Sequence, residues 1–356
     1  MLDKNKVLVG MSGGVDSSVT AALIKEMGYT PVGVTFKPYT SDKPHCHCYS
    51  ELDAKEVCDK LGIEHYYIDY TEIFKRQIID YFVEEYLQGR TPNPCTKCNP
   101  EIKFGELLKF ADSLGIYWIA SGHYVNVRYD EQIRRHLIVR SKNYKKDQSY
   151  VLWGLKEHQI SRAIFPIGNM DKEKTRQIAR EYGFENHNRW DSQDVCFIPA
   201  NNYEEYLWEV KRDFFESLGE GYIIKDGKIL GKHKGYPFYT IGQRHGLGVS
   251  FGEPLYVKQI IPKSNTIIVG TKAEIENKGL IAHSINIVKY DDLAEPRCFY
   301  IKIRYNDKGS YGRAWTENGR LFVEFDKPKD AITPGQSVVL YENDDLVGGG
   351  IIEKSF

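Results

Sequence analysis

The apolar run Val7-Leu8-Val9-Gly10 leads into Met11-Ser12-Gly13-Gly14-Val15-Asp16-Ser17-Ser18, and an apolar helical pattern, Val19-Thr20-Ala21-Ala22-Leu23-Ile24, follows at once. That order predicts a strand, a tight glycine turn and a helix N-terminus. Such a turn offers backbone N–H groups and the positive end of a helix dipole to an anion, most often a phosphate. Paired glycines let the backbone approach closely, and the hydroxyls of Ser17 and Ser18 add donors. A P-loop would place Lys before Ser or Thr to reach the terminal phosphates, and this loop has no lysine. The segment therefore predicts nucleotide chemistry on a loop of another kind.

The surrounding pattern supplies the sheet that such a loop needs. Apolar runs at Val7–Val9, Pro31–Phe36, Glu64–Ile68 and Tyr117–Ala120 are separated by helical patterns at Ser17–Met27, Glu51–Leu61, Ile73–Leu87 and Phe104–Leu114. Alternation of this kind predicts an α/β, doubly wound parallel sheet with its ligand at the carboxyl ends of the strands. Leu137–Arg140 and Tyr150–Leu152 read as further short strands, and Lys172–Tyr182 as a further helix. Beyond Tyr203–Leu218 the alternation fades into the short strand candidates Tyr222–Ile224, Lys228–Leu230 and Tyr236–Thr240. From about residue 280 the pattern is all-β, with Ser284–Val288, Cys298–Tyr305, Arg313–Trp315, Leu321–Phe325, Ser337–Tyr341 and Val347–Ile352 divided by turn residues, as in a small barrel. A chain of 356 residues exceeds one ordinary core. The expected division is a catalytic domain over 1–202, a small central domain over 203–277 and a C-terminal β-barrel over 278–356.

A formal net charge of −1 gives no global attraction for nucleic acid, so RNA binding would need local basic patches. Arg134-Arg135 with Arg140, and Lys142 with Lys145-Lys146, are such patches, and Tyr144 and Tyr150 interleave with the second. No apolar run approaches membrane-spanning length, and the N-terminus MLDKNKVLVG has no apolar leader. Seven cysteines without an export signal point to a reducing, cytoplasmic setting, where thiols serve catalysis or metals rather than staples.

Thr91-Pro92-Asn93-Pro94-Cys95-Thr96-Lys97-Cys98-Asn99 places C-x-x-C behind two prolines, a spacing open to metal binding, redox exchange or nucleophilic use. A third cysteine stands in Asp191-Ser192-Gln193-Asp194-Val195-Cys196-Phe197-Ile198-Pro199. Cys58, inside a helical pattern, and Cys298, inside a β run, read as small packing residues. His45-Cys46-His47-Cys48 alternates ligand types and, with Cys95 and Cys98, could complete a zinc site; an exposed polar loop is the plainer reading.

SGGVDSS resembles the PP-loop of the ATP pyrophosphatases, which split ATP into AMP and pyrophosphate. With GRTPNPCTKCNPEIKFG, SGHY (Ser121–Tyr124), KKDQSYVL (Lys145–Leu152), DSQDVCFIP and YTIGQRHGLG (Tyr239–Gly248) in one order, the chain resembles the tRNA-specific 2-thiouridylase family (MnmA/TrmU). The motifs span residues 10 to 248, and IRYND with TPGQSV resembles that family's C-terminal domain. The resemblance implies ATP-dependent 2-thiolation of the wobble uridine of tRNA, with ATP and Mg²⁺ required.

Carried onto matching positions, it places ATP on Gly10, Met11, Ser12, Gly13, Gly14, Val15, Asp16 and Ser17, with Phe36 and Gly122 also at the nucleotide. Cys98 matches the nucleophile and Cys196 the cysteine that carries sulfur as a persulfide. Asn93, Pro94 and Cys95 match the loop beside the target base. His123, Lys146, Asp147, Gln148, Arg304, Tyr305 and Gln336 match tRNA-contact positions; Arg244 and His245 add contacts or merely ride on a glycine-shaped hairpin. Implied partners are tRNA of the Lys, Glu and Gln isoacceptors, and a cysteine desulfurase or sulfur-carrier protein.

Many members carry Asp where this chain has Cys95. A thiol titrates far above a carboxylate, so the role of that Asp does not transfer directly. Cys95, Cys98 and Cys196 would also suit a 4Fe-4S cluster held by three thiolates with one open iron, a rival route to the same product. A PP-loop ligase or sulfurtransferase acting on another substrate is the other-class alternative; an amidating ligase would need an ammonia source, and the sequence has no glutaminase-like module.

Overall fold

A computed structural model describes residues 2–38, 51–188, 195–198 and 202–356, with the side chain of Glu51 excepted. Two compact units divide the chain: Met1–Ile78, Cys95–Asn201 and Asn343–Val347 form one, and Ile79–Pro94, Asn202–Glu342 and Gly348–Phe356 form the other.

In the first unit, β1 (Asp3–Gly10), β2 (Thr30–Lys37), β3 (His65–Asp69) and β4 (Ile116–Ala120) pair in parallel. The strand β5 (Val125–Asp130) forms an antiparallel hairpin with β6 (Arg135–Arg140), and β7 (Ala163–Ile164) completes the parallel sheet in the order β3-β2-β1-β4-β7. Strand order reverses between β1 and β4, so the loops after these two strands flank the topological switch point. Alternation along β1 sends Val7 and Val9 into a core shared with α1 (Val15–Glu26), α2 (Glu51–Leu61) and the helix α3 (Lys172–Glu181). On the opposite side, a β-carbon placed on Gly10 would lie 3.8 Å from Leu107, in the helix Leu107–Ser113.

Several expected elements differ. Ser149–Leu152 is a 3-10 turn, and its consecutive residues Ser149 and Tyr150 are both fully buried, which breaks strand alternation. The helical stretch Ile73–Leu87 contains a π-helical portion, Lys75–Ile79, and Phe104–Leu114 overlaps the end of another, Asn99–Glu106.

The second unit holds a four-stranded sheet and a closed barrel. β8 (Gly221–Lys225) pairs with β9 (Lys228–His233), and β10 (Tyr256–Ile261) with β11 (Thr266–Gly270), joined by a parallel pairing of β11 with β8. Tyr236–Phe238, expected as a strand, is a 3-10 turn with all three side chains buried. The barrel strands are β12 (Asn277–Ile287), β13 (Arg297–Lys302), β14 (Ser310–Glu317), β15 (Arg320–Lys329), β16 (Ser337–Glu342) and β17 (Asp345–Ser355). Their order is β12-β15-β14-β13-β16-β17, and Ile281 pairing with Lys354 returns β17 to β12, which leaves no open edge. Ile79–Pro94 belongs to this second unit.

Candidate active site

Residues 11–14 emerge from β1 and end at the N-terminus of α1, whose N-cap Gly14 makes no side-chain capping bond. The first N–H groups of α1 are therefore left for an anion. Gly13 takes φ +79°, a left-handed conformation that favours glycine. Inside the loop, Ser17 Oγ donates to the Gly14 carbonyl (2.9 Å), Ser18 Oγ donates to the same oxygen (3.0 Å), and Gly14 N donates to Ser12 Oγ (3.3 Å). Met11 and Val15 bury their side chains in the core and offer the loop only backbone. Thr35 Oγ1 holds the Met11 carbonyl at 2.9 Å. Phe36, at the end of β2, stacks obliquely on Tyr70 at 4.5 Å between centroids.

The loop after β4 packs directly on this one. A β-carbon on Gly122 would sit 2.8 Å from the Asp16 carbonyl carbon and 3.0 Å from Ser17 N. Tyr124 Oη donates to Asp16 Oδ1 at 2.7 Å. Lys172, the first residue of α3, donates to both Asp16 carboxylate oxygens at 2.9 Å. The cation missing from the loop sequence thus arrives from a helix 156 residues away. Asn186 completes the set: its Nδ2 donates to the Gly13 carbonyl and to Ser18 Oγ, both at 2.9 Å, and its buried Oδ1 has no hydrogen-bond partner among the described residues.

Cys95 and Cys98 occupy a helical turn, Pro94–Cys98, that runs into the π-helix. Cys98 is buried, and burial pushes its thiol up to about 12, with the Lys103 charge opposing the shift. Burial also raises the Cys95 thiol, again against Lys103. Asn99 Nδ2 donates to the Cys95 carbonyl at 2.9 Å. The Lys145–Leu152 motif leads to Gly154, where a β-carbon would strike Pro100 at 2.9 Å; Gln159 Nε2 donates to the Pro100 carbonyl at 2.9 Å. Cys196 is half-buried, and the ring of Phe197 beside it meets Phe74 at 5.9 Å. None of the five described cysteines forms a disulfide.

Among the described residues, no group of three or more His, Cys, Asp or Glu side chains is placed to hold a metal ion. Cys95, Cys98 and Cys196 are all described and do not form such a group. His45-Cys46-His47-Cys48 lies outside the described residues, as do Asp191–Asp194.

The expected RNA-contact residues fall into two groups. His123 is buried against Phe104 and Phe165, receives or gives a bond to Ser121 Oγ at 2.6 Å, and is held neutral, its ring pushed down to about 3 by burial with the Lys103 charge adding to it. Asp147 is inward: its carboxylate accepts from Ser141 N (3.1 Å), Ser149 Oγ (2.8 Å) and Arg140 Nε (3.3 Å). Gln148 Oε1 accepts from Tyr124 N at 3.0 Å, which ties its segment to the loop after β4. Tyr150 is fully buried and cannot interleave with the basic patch, whereas Tyr144 is exposed with the Arg140 guanidinium 4.5 Å over its ring. Lys146 is half-buried, and Lys142 and Lys145 are exposed.

In the second unit, Arg304 and Tyr305 are exposed on the turn after β13, which a buried Lys329–Asp307 ion pair of 2.9 Å fixes from within. Arg244 and His245 are exposed on a turn that Gln243 closes through Thr240 N and the His245 carbonyl. Gln336 Nε2 donates to the Thr91 carbonyl at 2.8 Å, and Thr91 N donates to the Pro334 carbonyl at 2.9 Å, so the barrel grips the root of the Asn93-Pro94 segment. Lys172, Asn186, Asn99 and Lys103 were not legible as site residues, since each stands in an ordinary helical or turn context.

Family profiles match nearly the whole chain: one described as tRNA methyl transferase HUP domain over residues 5–200, one as tRNA methyl transferase PRC-barrel domain over 210–271, and one as aminomethyltransferase beta-barrel domain over 277–352. The tRNA-specific 2-thiouridylase MnmA of Salinibacter ruber is 46% identical over 99% of this chain and 96% of its own length. That of Clostridioides difficile is 44% identical over 100% of both. Among solved structures, the U34-tRNA thiolase NcsA of Methanococcus maripaludis with its 4Fe-4S cluster aligns over 61% of this chain and 67% of that one, at 18% identity and TM-score 0.35, too slight a likeness to carry an argument.

Proposed function

The chain belongs to the tRNA-specific 2-thiouridylase family, and from that premise we propose that it uses ATP to replace the C2 oxygen of the wobble uridine of tRNA with sulfur. The observation that carries the reading is the pair of loops at the switch point, where Gly122 seats its backbone on Asp16 and Lys172 and Tyr124 hold the Asp16 carboxylate. The matching profiles speak of methyl transfer, but their names carry no group-specific feature, whereas relatives matched end to end are named for thiolation.

The unfilled N–H groups of α1 receive the phosphates, and Gly122 leaves room for the nucleotide-facing backbone. Asp16 is the loop's carboxylate and would supply an oxygen ligand of the kind Mg²⁺ favours; the ion would neutralise phosphate charge there. Lys172 then places its ammonium beside the departing pyrophosphate. The uracil O2 attacks the α-phosphorus, pyrophosphate leaves, and the O-adenylated C2 becomes open to a nucleophile.

The terminal sulfur of a Cys196 persulfide adds to C2 and AMP departs with the former O2. Cys98 thiolate attacks the Cys196 sulfur, the S–S bond to the substrate breaks, and the thiocarbonyl forms as a Cys98–Cys196 disulfide closes. A thiol reductant and a fresh persulfide donor, from a cysteine desulfurase or sulfur carrier, reset the pair. Burial keeps Cys98 a thiol at rest, which guards the nucleophile against adventitious reaction until the base is in place. Cys95, beside it, occupies the position where an acid or base would serve the base. The expected substrates are the Lys, Glu and Gln isoacceptors, with Lys142, Lys145, Lys146, Arg304 and Tyr305 as expected contacts.

A single turnover of metal-free persulfidated protein, without reductant, tests the route. The expected result is one 2-thiouridine and one Cys98–Cys196 disulfide per active site, found by peptide mapping. Thiolation that demands reconstituted iron would replace this route with the cluster.

A further inference from the structure

Asn99 follows Cys98 directly and is 2% exposed. Its Nδ2 is committed to the Cys95 carbonyl at 2.9 Å, and its Oδ1 has no hydrogen-bond partner among the described residues. The carbonyl of Cys95 can only accept, so it fixes the carboxamide with nitrogen toward Cys95 and oxygen away from it. A buried acceptor left unmet is costly, and native chains seldom keep one without use.

The chemistry at Cys98 says what would meet it. Sulfur enters at C2 of a pyrimidine, and the ring atom bonded to C2 other than the glycosylated N1 is N3. In uracil N3 bears hydrogen and donates; in cytosine N3 is a bare acceptor. A group reading N3 must lie within a few ångströms of the sulfur-handling thiol, and Asn99 is its immediate neighbour in the chain. We propose that Asn99 Oδ1 accepts the N3–H of the target uracil and is a specificity-determining residue that separates uridine from cytidine at the thiolated position.

This rests on the thiolation reading above. Modified bases are taken out of their stack into a pocket, and entry of the uracil would exchange an unmet acceptor for a met one. Cytosine would set two acceptors against each other. Because the carboxamide is held by Cys95, it cannot turn over to offer its NH₂ instead.

The test is a cycle between protein and RNA. The tRNA carries either uridine or 3-deazauridine, which has C–H in place of N3–H, at the wobble position. Thiolation kcat/KM is measured for the wild type, Asn99→Leu and Asn99→Asp. Intrinsic chemical differences between the bases are common to all three proteins and cancel in the ratio. The wild type should pay a deaza penalty at least about fivefold larger than Asn99→Leu, the size of one neutral hydrogen bond. Asn99→Asp, which keeps an acceptor, should retain a penalty of at least wild-type size, and it decides the matter if the Leu variant fails to fold. Equal penalties in wild type and Asn99→Leu, or a smaller one in Asn99→Asp, overturn the inference. A wild type that thiolates the uridine tRNA normally while showing no dependence on Asn99 sinks this inference alone. A wild type that thiolates neither RNA sinks the thiolation reading with it.

Discussion

Gly122→Ala is the sharpest structural probe of the nucleotide site. The added β-carbon would lie 2.8 Å from the Asp16 carbonyl carbon, 3.0 Å from its oxygen and 3.0 Å from Ser17 N. Ordinary contact begins at 3.4 Å, so the two loops must part by 3.4 − 2.8, about 0.6 Å, at the tightest point. The obstructing atoms are backbone, and no side chain can rotate out of the way. Overpacking of this kind costs about 1–3 kcal/mol, and binding sites lose function when displaced by about 0.5 Å. If the strain is taken up in the loop, KM for ATP should rise roughly 5- to 150-fold. Gly252, around which a β-carbon meets nothing within 4 Å, supplies the control as Gly252→Ala. The assay is AMP formation against ATP concentration at saturating tRNA, with thermal melting in parallel. Wild-type KM and kcat in Gly122→Ala would refute the claim that the loop after β4 shapes the ATP site.

Lys172→Met should lower kcat for AMP formation by about 10²–10³, as loss of one transition-state donor does. Its melting point should scarcely move, because the Asp16 carboxylate is 31% exposed and partly screened; unchanged kcat would reduce the lysine to a tether for Asp16. Cys98 titrates near 12 through burial, so the thiolate fraction grows as pH rises toward that value and shrinks below it. Alkylation of Cys98 in the RNA-free protein, followed by peptide mass spectrometry, should climb about tenfold per pH unit from 7 to 10; a plateau below pH 9 would contradict a buried thiol.

The parallel sheet was legible because its strands are apolar runs separated by amphipathic stretches; Glu51–Leu61 was located to the residue. The loop at 11–14 was legible because its chemistry is local, in glycines and hydroxyls adjacent in sequence. Tyr150–Leu152 and Tyr236–Phe238 misled because aromatic and β-branched residues packed on all sides read like strands. Tyr256–Ile261 was missed because Lys258-Gln259 interrupts its apolar pattern, although Asn265, left-handed at φ +46°, marks the turn that follows. Lys172 and Asn186 stayed hidden for a different reason. They reach Asp16 and Gly13 across 156 and 173 residues, and neither an α3 lysine nor a turn asparagine announces a distant phosphate loop. The burial of His123 stayed hidden too, since nothing in SGHY reveals it.

In the proposed reaction Asp16 and Lys172 activate, and Cys98 and Cys196 deliver sulfur to, one RNA carbonyl. Nucleoside mass spectrometry of tRNA incubated with the purified protein, Mg²⁺-ATP, a persulfide donor and reductant tests it most directly. The account predicts 2-thiouridine at the wobble position, one AMP per thiolation, and none of the product when ATP is omitted or Cys196→Ala replaces the wild type. Wobble uridine left unthiolated by the complete mixture, or thiolated equally by Cys196→Ala, would contradict it.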